Sequence, residues 1–133
     1  MVIEFAAGFI VFNGDKFLLL EKKGNWGFIK GKVEQAESDE EAAVREAREE
    51  SGLSDLFIVK GFKKREEYFF KRGGQTVKKE VTYFLAETRK TEVKLSSEHN
   101  SYDWLPYQDA MRRLNFKQTR DVLEEAHEFL ADK

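Results

Sequence analysis

Apolar residues are dense at the start of the chain and return later in shorter, differently spaced groups. Glu4 to Phe12, EFAAGFIVF, is a β-rich run, and Phe17-Leu18-Leu19-Leu20 is unbroken. Asn13-Gly14-Asp15 between them is a strong tight-hairpin signal, so the two runs predict paired strands with the return strand buried. Lys22 to Lys30, KKGNWGFIK, loses the pattern, carries two glycines and a tryptophan, and reads as a loop. From Ser38 the spacing turns helical and stops at Gly52, a residue suited to the left-handed position after a helix. Strand patterns return near Leu56 to Phe62, at Glu67 to Phe70 and at Val77 to Thr88, the last two joined by a turn at Arg72-Gly73-Gly74-Gln75. Ser101 to Leu105 predicts a final short strand. Pro106 starts a helix through about Leu114, and Thr119 to Leu130 repeats apolar residues at helical spacing through Val122, Leu123, Ala126, Phe129 and Leu130. This order predicts an α/β (α+β) chain, a mixed sheet flanked by helices on both faces.

Composition narrows the function. At 133 residues and 41% hydrophobic content, residues 1–133 are expected to form a single domain with a real core. Twenty-three basic against twenty-five acidic residues leave a formal charge of -2, so no global field favours duplex nucleic acid as partner, and any anion must be bound locally. The apolar stretch Phe5 to Phe12 is too short for a membrane span and lacks a basic leader. There is no cysteine, which rules out disulfides, zinc–thiolate sites and thiol nucleophiles and makes the cytoplasm the expected compartment. A monomer is expected.

The helix after Ser38 is built against its own interest at one end. Ser38 with Glu41 forms a capping box, and Asp39, Glu40 and Glu41 place negative charge where the macrodipole favours it. Glu46, Glu49 and Glu50, however, occupy the last turns, where the dipole and repulsion at i, i+3 and i+4 oppose them. In a chain with 36% charged residues a solvated acidic face is one account. The other is a hard divalent cation, because the spacing sets the three carboxylates on one face within reach of a common point.

The wider segment decides between them. Gly31, then five residues, Glu37, then seven residues, and Arg45-Glu46-Ala47-Arg48-Glu49-Glu50-Ser51-Gly52-Leu53 resembles the Nudix box. Every charged and glycine position of that 23-residue signature is matched, with Ala47 smaller than the usual aliphatic. The resemblance implies a Nudix α/β/α sandwich and hydrolysis of a nucleoside diphosphate linked to another moiety, by water attack on phosphorus assisted by Mg2+ or Mn2+. It also implies Glu46 and Glu50 as principal metal ligands, with Glu49 beside them and the Gly31 carbonyl as a backbone ligand. Arg45, a cation with a bidentate fork, is expected to orient Glu49 or Glu37.

Beyond the box, Ser97-Glu98-His99 with Tyr102-Asp103-Trp104-Leu105, Gly61-Phe62-Lys63-Lys64, Tyr83-Phe84-Leu85-Ala86-Glu87, Phe116-Lys117 and the closing stretch from Leu123 to Leu130 are similar to the asymmetric diadenosine tetraphosphate hydrolases. That likeness implies Glu98 as a further ligand or as the base that deprotonates water, a role Glu49 shares. Lys30 and Lys79 would contact the phosphate chain, and Tyr68 and Phe116 would sandwich adenine. His99 is expected to position the Glu98 loop and His127 to be structural. The substrate implied is a dinucleoside polyphosphate, diadenosine tetraphosphate giving ATP and AMP. The alternatives are removal of pyrophosphate from the 5′ end of RNA, another nucleotide-cleaning reaction, or a non-hydrolytic nucleotide sensor. Prolines common in the subfamily are replaced here by Phe28-Ile29 before Lys30-Gly31 and by Glu34-Gln35-Ala36 in the box.

Overall fold

The computed structural model describes residues 1–133. In chain order the elements are β1 (Val2–Asn13), β2 (Lys16–Lys22), β3 (Asn25–Gly27), β4 (Ile29–Lys32), α1 (Asp39–Ser51), β5 (Phe57–Ile58), β6 (Lys64–Arg72), β7 (Gln75–Glu87), β8 (Ser101–Pro106), α2 (Tyr107–Arg113) and α3 (Lys117–Ala131). All strands join one eight-stranded sheet. Its spine is the parallel pair β1 and β7, in register from Val2↔Val77 to Phe12↔Glu87. The other pairs are antiparallel, so the sheet is mixed as expected from the order of patterns.

Alternation along the two spine strands makes the layers. Ala7, Phe9 and Val11 of β1, with Phe84 and Ala86 of β7, face a cluster that includes Ala42, Ala43 and Ala47 of α1. Ala6, Ile10 and Phe12, with Val81, Tyr83 and Leu85, face the opposite cluster, where α2 and α3 supply Ala110, Val122, Leu123 and Ala126. A period of two on the strands thus feeds a helix layer on each side. The three fully buried alanines of α1 let that helix lie close on the sheet.

Each spine strand changes partner along its outer edge. β1 pairs with β4 through Ala6↔Lys32 to Phe9↔Ile29 and with β2 at Phe12↔Phe17. β7 pairs with β6 from Gln75 to Tyr83 and with β5 only at Phe57↔Glu87 and Ile58↔Ala86. The strand expected over Leu56 to Phe62 is therefore cut to two residues, because the chain turns at Lys60-Gly61, where Gly61 has φ 96°. The loop expected over Lys22 to Lys30 contains β3 and the start of β4. Their partners, β2 and β1, supply the ladder that local sequence does not advertise.

Candidate active site

The first wall is α1 against β4. Ser38 caps α1 as the sequence indicated: its hydroxyl accepts from the Glu41 N–H at 3.1 Å and the Glu41 carboxylate accepts from the Ser38 N–H at 2.8 Å. Gly52, at φ 74°, closes the other end by donating to the Arg48 carbonyl. Between these ends Arg45 gathers the acids. Its Nε and Nη2 reach the two oxygens of Glu37 at 2.7 and 3.1 Å, Nη1 reaches Glu46 at 2.8 Å and Glu49 at 3.1 Å, and Nη2 also donates to the Lys32 carbonyl at 2.8 Å. Of the two partners expected for Arg45 the structure shows both, and adds Glu46. Arg45 and the Glu34 N–H hold the Glu37 carboxyl below its ordinary range.

Gly31 is needed for this packing. A Cβ there would stand 1.9 Å from the carboxyl carbon of Glu46, so the acid lies directly on the glycine backbone. Glu46 is pushed up by burial, with Arg45 opposing. Glu50, 7% exposed, accepts the Lys30 N–H at 3.1 Å and is pushed by burial up to about 8, the charges of Glu46 and Glu98 adding to the shift.

Glu98 comes from a remote loop that docks on the end of α1. The free carbonyls of Glu50 and Ser51, left over at the helix terminus, accept the N–H groups of Ser96 at 3.3 Å and Lys94 at 2.9 Å. Ser96 Oγ also lies 3.3 Å from His99 Nδ1, which fits the positioning role expected of His99. Glu98 itself is exposed and pairs with Lys22 at 3.6 Å. His127 stacks on Tyr107, rings 3.8 Å apart, and joins α2 to α3.

The second wall is basic and aromatic. Lys30 Nζ donates to the Tyr68 hydroxyl at 3.1 Å and sits 5.0 Å from its ring centre. Tyr68 lies opposite Lys79 in the β6–β7 ladder, on the face opposite Phe69, which is exposed; the three adjacent aromatics of β6 are thereby told apart. Phe116, the N-cap of α3, is 47% exposed. A cavity of about 660 Å³ is lined by Lys30, Gly31, Glu46, Glu49, Glu50, Glu98, Lys79, Tyr68 and Phe116, with Arg45 behind the carboxylates.

Within that cavity the carboxylates do not converge as the spacing led one to expect: no three of the acidic or histidine side chains stand together as a cage. They are drawn to separate donors instead: Glu46 and Glu49 share Arg45 Nη1, Glu50 faces the Lys30 amide and Glu98 faces Lys22. Like charges a few ångströms apart repel, and nearby donors offer a better partner. The donor set still fits a hard cation: it is all oxygen, with Gly31, Glu46, Glu49, Glu50 and Glu98 lining one cavity.

Sequence reasoning passed over other lining residues. Trp26 stands in the cavity with Arg113 4.6 Å from its ring centre, and its backbone N–H donates to Asn115 Oδ1 at 2.7 Å. Lys22 and Lys23 also line the cavity. The one available signal was an isolated tryptophan among lysines and glycines, in the segment read as a plain loop.

Fold and site together define a class. The NUDIX domain family matches residues 3–126, and the chain belongs to the Nudix hydrolases. It is 38% identical over 122 residues to the mouse asymmetrical bis(5′-nucleosyl)-tetraphosphatase, covering 86% of this chain and 80% of that one. A Caenorhabditis elegans Ap4A hydrolase in a binary complex superposes with a TM-score of 0.86 at 28% identity, over 98% of this chain and 99% of the other. An RNA pyrophosphohydrolase from Nitratiruptor is 31% identical over a shorter span, 69% of this chain and 65% of its own. No helix is long and apolar enough to cross a membrane.

Proposed function

We propose that residues 1–133 act as a single-domain, monomeric, cytoplasmic hydrolase of dinucleoside polyphosphates, cleaving diadenosine tetraphosphate with water to ATP and AMP in the presence of Mg2+ or Mn2+. The observation that carries this reading is the union in one cavity of the Glu46, Glu49, Glu50 and Glu98 wall with Lys30, Lys79, Tyr68 and Phe116. Likeness to tetraphosphatases over most of the chain supports the same substrate.

Glu46 and Glu50, with Glu49, Glu98 and the Gly31 carbonyl, would hold the cation. A divalent ion held there would neutralise phosphate oxygens and lower the pKa of water, so that an anionic nucleophile could approach a polyphosphate that otherwise repels it. The chain does the rest. Arg45 fixes Glu46 and Glu49 through charge-assisted bonds before substrate arrives. Glu49 or Glu98, both exposed enough to meet solvent, takes the proton as water adds to one internal phosphorus. The phosphoanhydride P–O bond breaks, and the released nucleotide leaves with the electron pair. Lys30 and Lys79 hold the phosphate chain as point charges, and Tyr68 and Phe116 stack an adenine. With neither cysteine nor a histidine placed as nucleophile, the oxygen that enters comes from solvent.

Chromatography of products from dinucleoside polyphosphates, nucleoside triphosphates and triphosphorylated RNA with Mg2+ tests the reading. ATP and AMP in equal amounts from diadenosine tetraphosphate, with 18O from labelled water in one product, is the expected result. ADP alone would overturn asymmetric cleavage, and preference for RNA would favour the 5′-pyrophosphohydrolase reading.

A further inference from the structure

Strand β6 turns one unusual row of residues inward. Its even positions face α3 and the cavity: Lys64 pairs with Glu125 of α3 at 3.1 Å, Glu66 meets Thr119 of α3, and Tyr68 meets Lys30. Glu66 is 3% exposed, yet the basic groups around it are engaged elsewhere, Lys64 with Glu125, Arg65 with Glu80 and Lys78 with Glu67. Its two oxygens accept instead from hydroxyls, Thr119 Oγ1 at 2.5 Å and Tyr83 Oη at 3.4 Å. Burying a carboxylate without a cation is costly, so something must favour it here.

The start of α3 supplies the reason. That helix has no side-chain cap and no acidic residue in its first turn, where a helix favours negative charge. Glu66, arriving from the sheet, provides that charge through Thr119, the third residue of the helix. Phe116 is the N-cap residue of the same turn, and it is half exposed. On the other side Asn115 is tied to the Trp26 N–H, so the short segment carrying Phe116 is pinned at both ends.

We propose that Glu66 is a positioning residue for substrate: by latching the first turn of α3 to the sheet, it sets where Phe116 stands over the nucleoside cavity. The inference rests on the reading of Phe116 as an adenine-stacking ring. Glu66→Leu removes the acceptor and should raise KM for diadenosine tetraphosphate about 5-fold while leaving kcat within about 2-fold, the pattern of lost uniform binding. Glu66→Gln keeps an oxygen for Thr119 and should restore most of that affinity. In a Phe116→Ala background, Glu66→Leu should raise KM no further.

If Phe116→Ala leaves KM unchanged, the stacking role itself is wrong and the latch falls with it. If Phe116→Ala raises KM but Glu66→Leu does not, or raises it equally in both backgrounds, the latch alone is overturned. Should Glu66→Leu fail to fold by thermal melt, Thr119→Val carries the same test, because it deletes the donor and keeps the shape; an unchanged KM there overturns the proposal.

Discussion

The two walls of the cavity are made in opposite ways. The carboxylate wall comes almost whole from one stretch, Gly31 to Gly52, where helix spacing sets the acids and a single arginine ties them. The nucleoside wall is collected from β6, β7 and the start of α3, and no two of Tyr68, Lys79 and Phe116 are neighbours in sequence. A wall built by local geometry tolerates little change in chemistry, since each carboxylate has a set position. A wall built by tertiary contacts tolerates more, since stacking needs only a flat apolar ring at about the right place. Substitutions in the first wall should therefore strike turnover, and those in the second should strike affinity.

The largest effect is expected from Glu50→Gln. The amide keeps the size and can still accept the Lys30 N–H, but it cannot supply an anionic ligand. Turnover on diadenosine tetraphosphate should fall on the order of 1000-fold with the thermal transition intact, as the loss of a charge that acts in the transition state does. Activity near the parent level with Mg2+ would separate the first wall from the chemistry.

Next comes stability without metal. Burial raises Glu50 to about 8 in the fold, above its ordinary 4.5. The folded chain thus holds a proton that the unfolded chain has released between those values. The sign follows: this contribution is fully present below about 4.5 and is lost as pH rises through about 8. In chelator the chain should lose stability across that window by a few kcal/mol, since a tenfold difference in proton affinity between folded and unfolded chain is worth about 1.4 kcal/mol. Added Mg2+ should offset the loss at the alkaline end, and Glu50→Gln should flatten the slope. Melts in chelator at pH 5 and pH 8.5 that coincide would show that Glu50 is not destabilised by ionising.

These tests bear on how much of the molecule its sequence displayed. The box helix was legible because capping, spacing and charge lie within a few turns of one another, from Ser38 to Gly52. The hairpin at Asn13-Gly14-Asp15 and the long strand β7 were legible for the same reason. Strands β3 and β4 were not, because Asn25 to Lys32 is rich in glycine and lysine and becomes strand only by lying against β2 and β1. Glu66 was hidden for a different reason. Lys64 to Arg72 reads KREEYFFKR, so polarity gives no alternation from which its inward face could be told. Glu98 was visible through family resemblance alone, since what brings it to α1 is a pair of backbone bonds to the helix end.

Arg45→Lys tests the preorganisation that the first wall depends on. Lysine keeps a charge but loses the fork that now spans Glu37, Glu46, Glu49 and the Lys32 carbonyl. An expected fall in kcat of about 10- to 100-fold, smaller than that of Glu50→Gln, would place Arg45 as an organiser of ligands. A loss as large as that of Glu50→Gln would give it a direct part in the reaction, and no loss would make its hydrogen bonds incidental.

The smallest effects belong to the second wall. Tyr68→Ala and Phe116→Ala should each raise KM for diadenosine tetraphosphate about 5- to 20-fold, since stacking on an aromatic ring is worth ~1–3 kcal/mol. Turnover should change little, because an adenine far from the reacting phosphorus is held equally in ground and transition states. Tyr68→Ala should cost somewhat more than Phe116→Ala, since its hydroxyl and ring both hold Lys30, whereas Phe116 stands half exposed. Tyr68→Phe separates the two functions of that residue: it keeps the ring for stacking and removes only the acceptor for Lys30. KM near the parent value in Tyr68→Phe but raised in Tyr68→Ala would assign the ring to adenine. A rise as large in Tyr68→Phe as in Tyr68→Ala would move Tyr68 from base recognition to the placing of Lys30 on phosphate, and the two walls would then meet at that lysine.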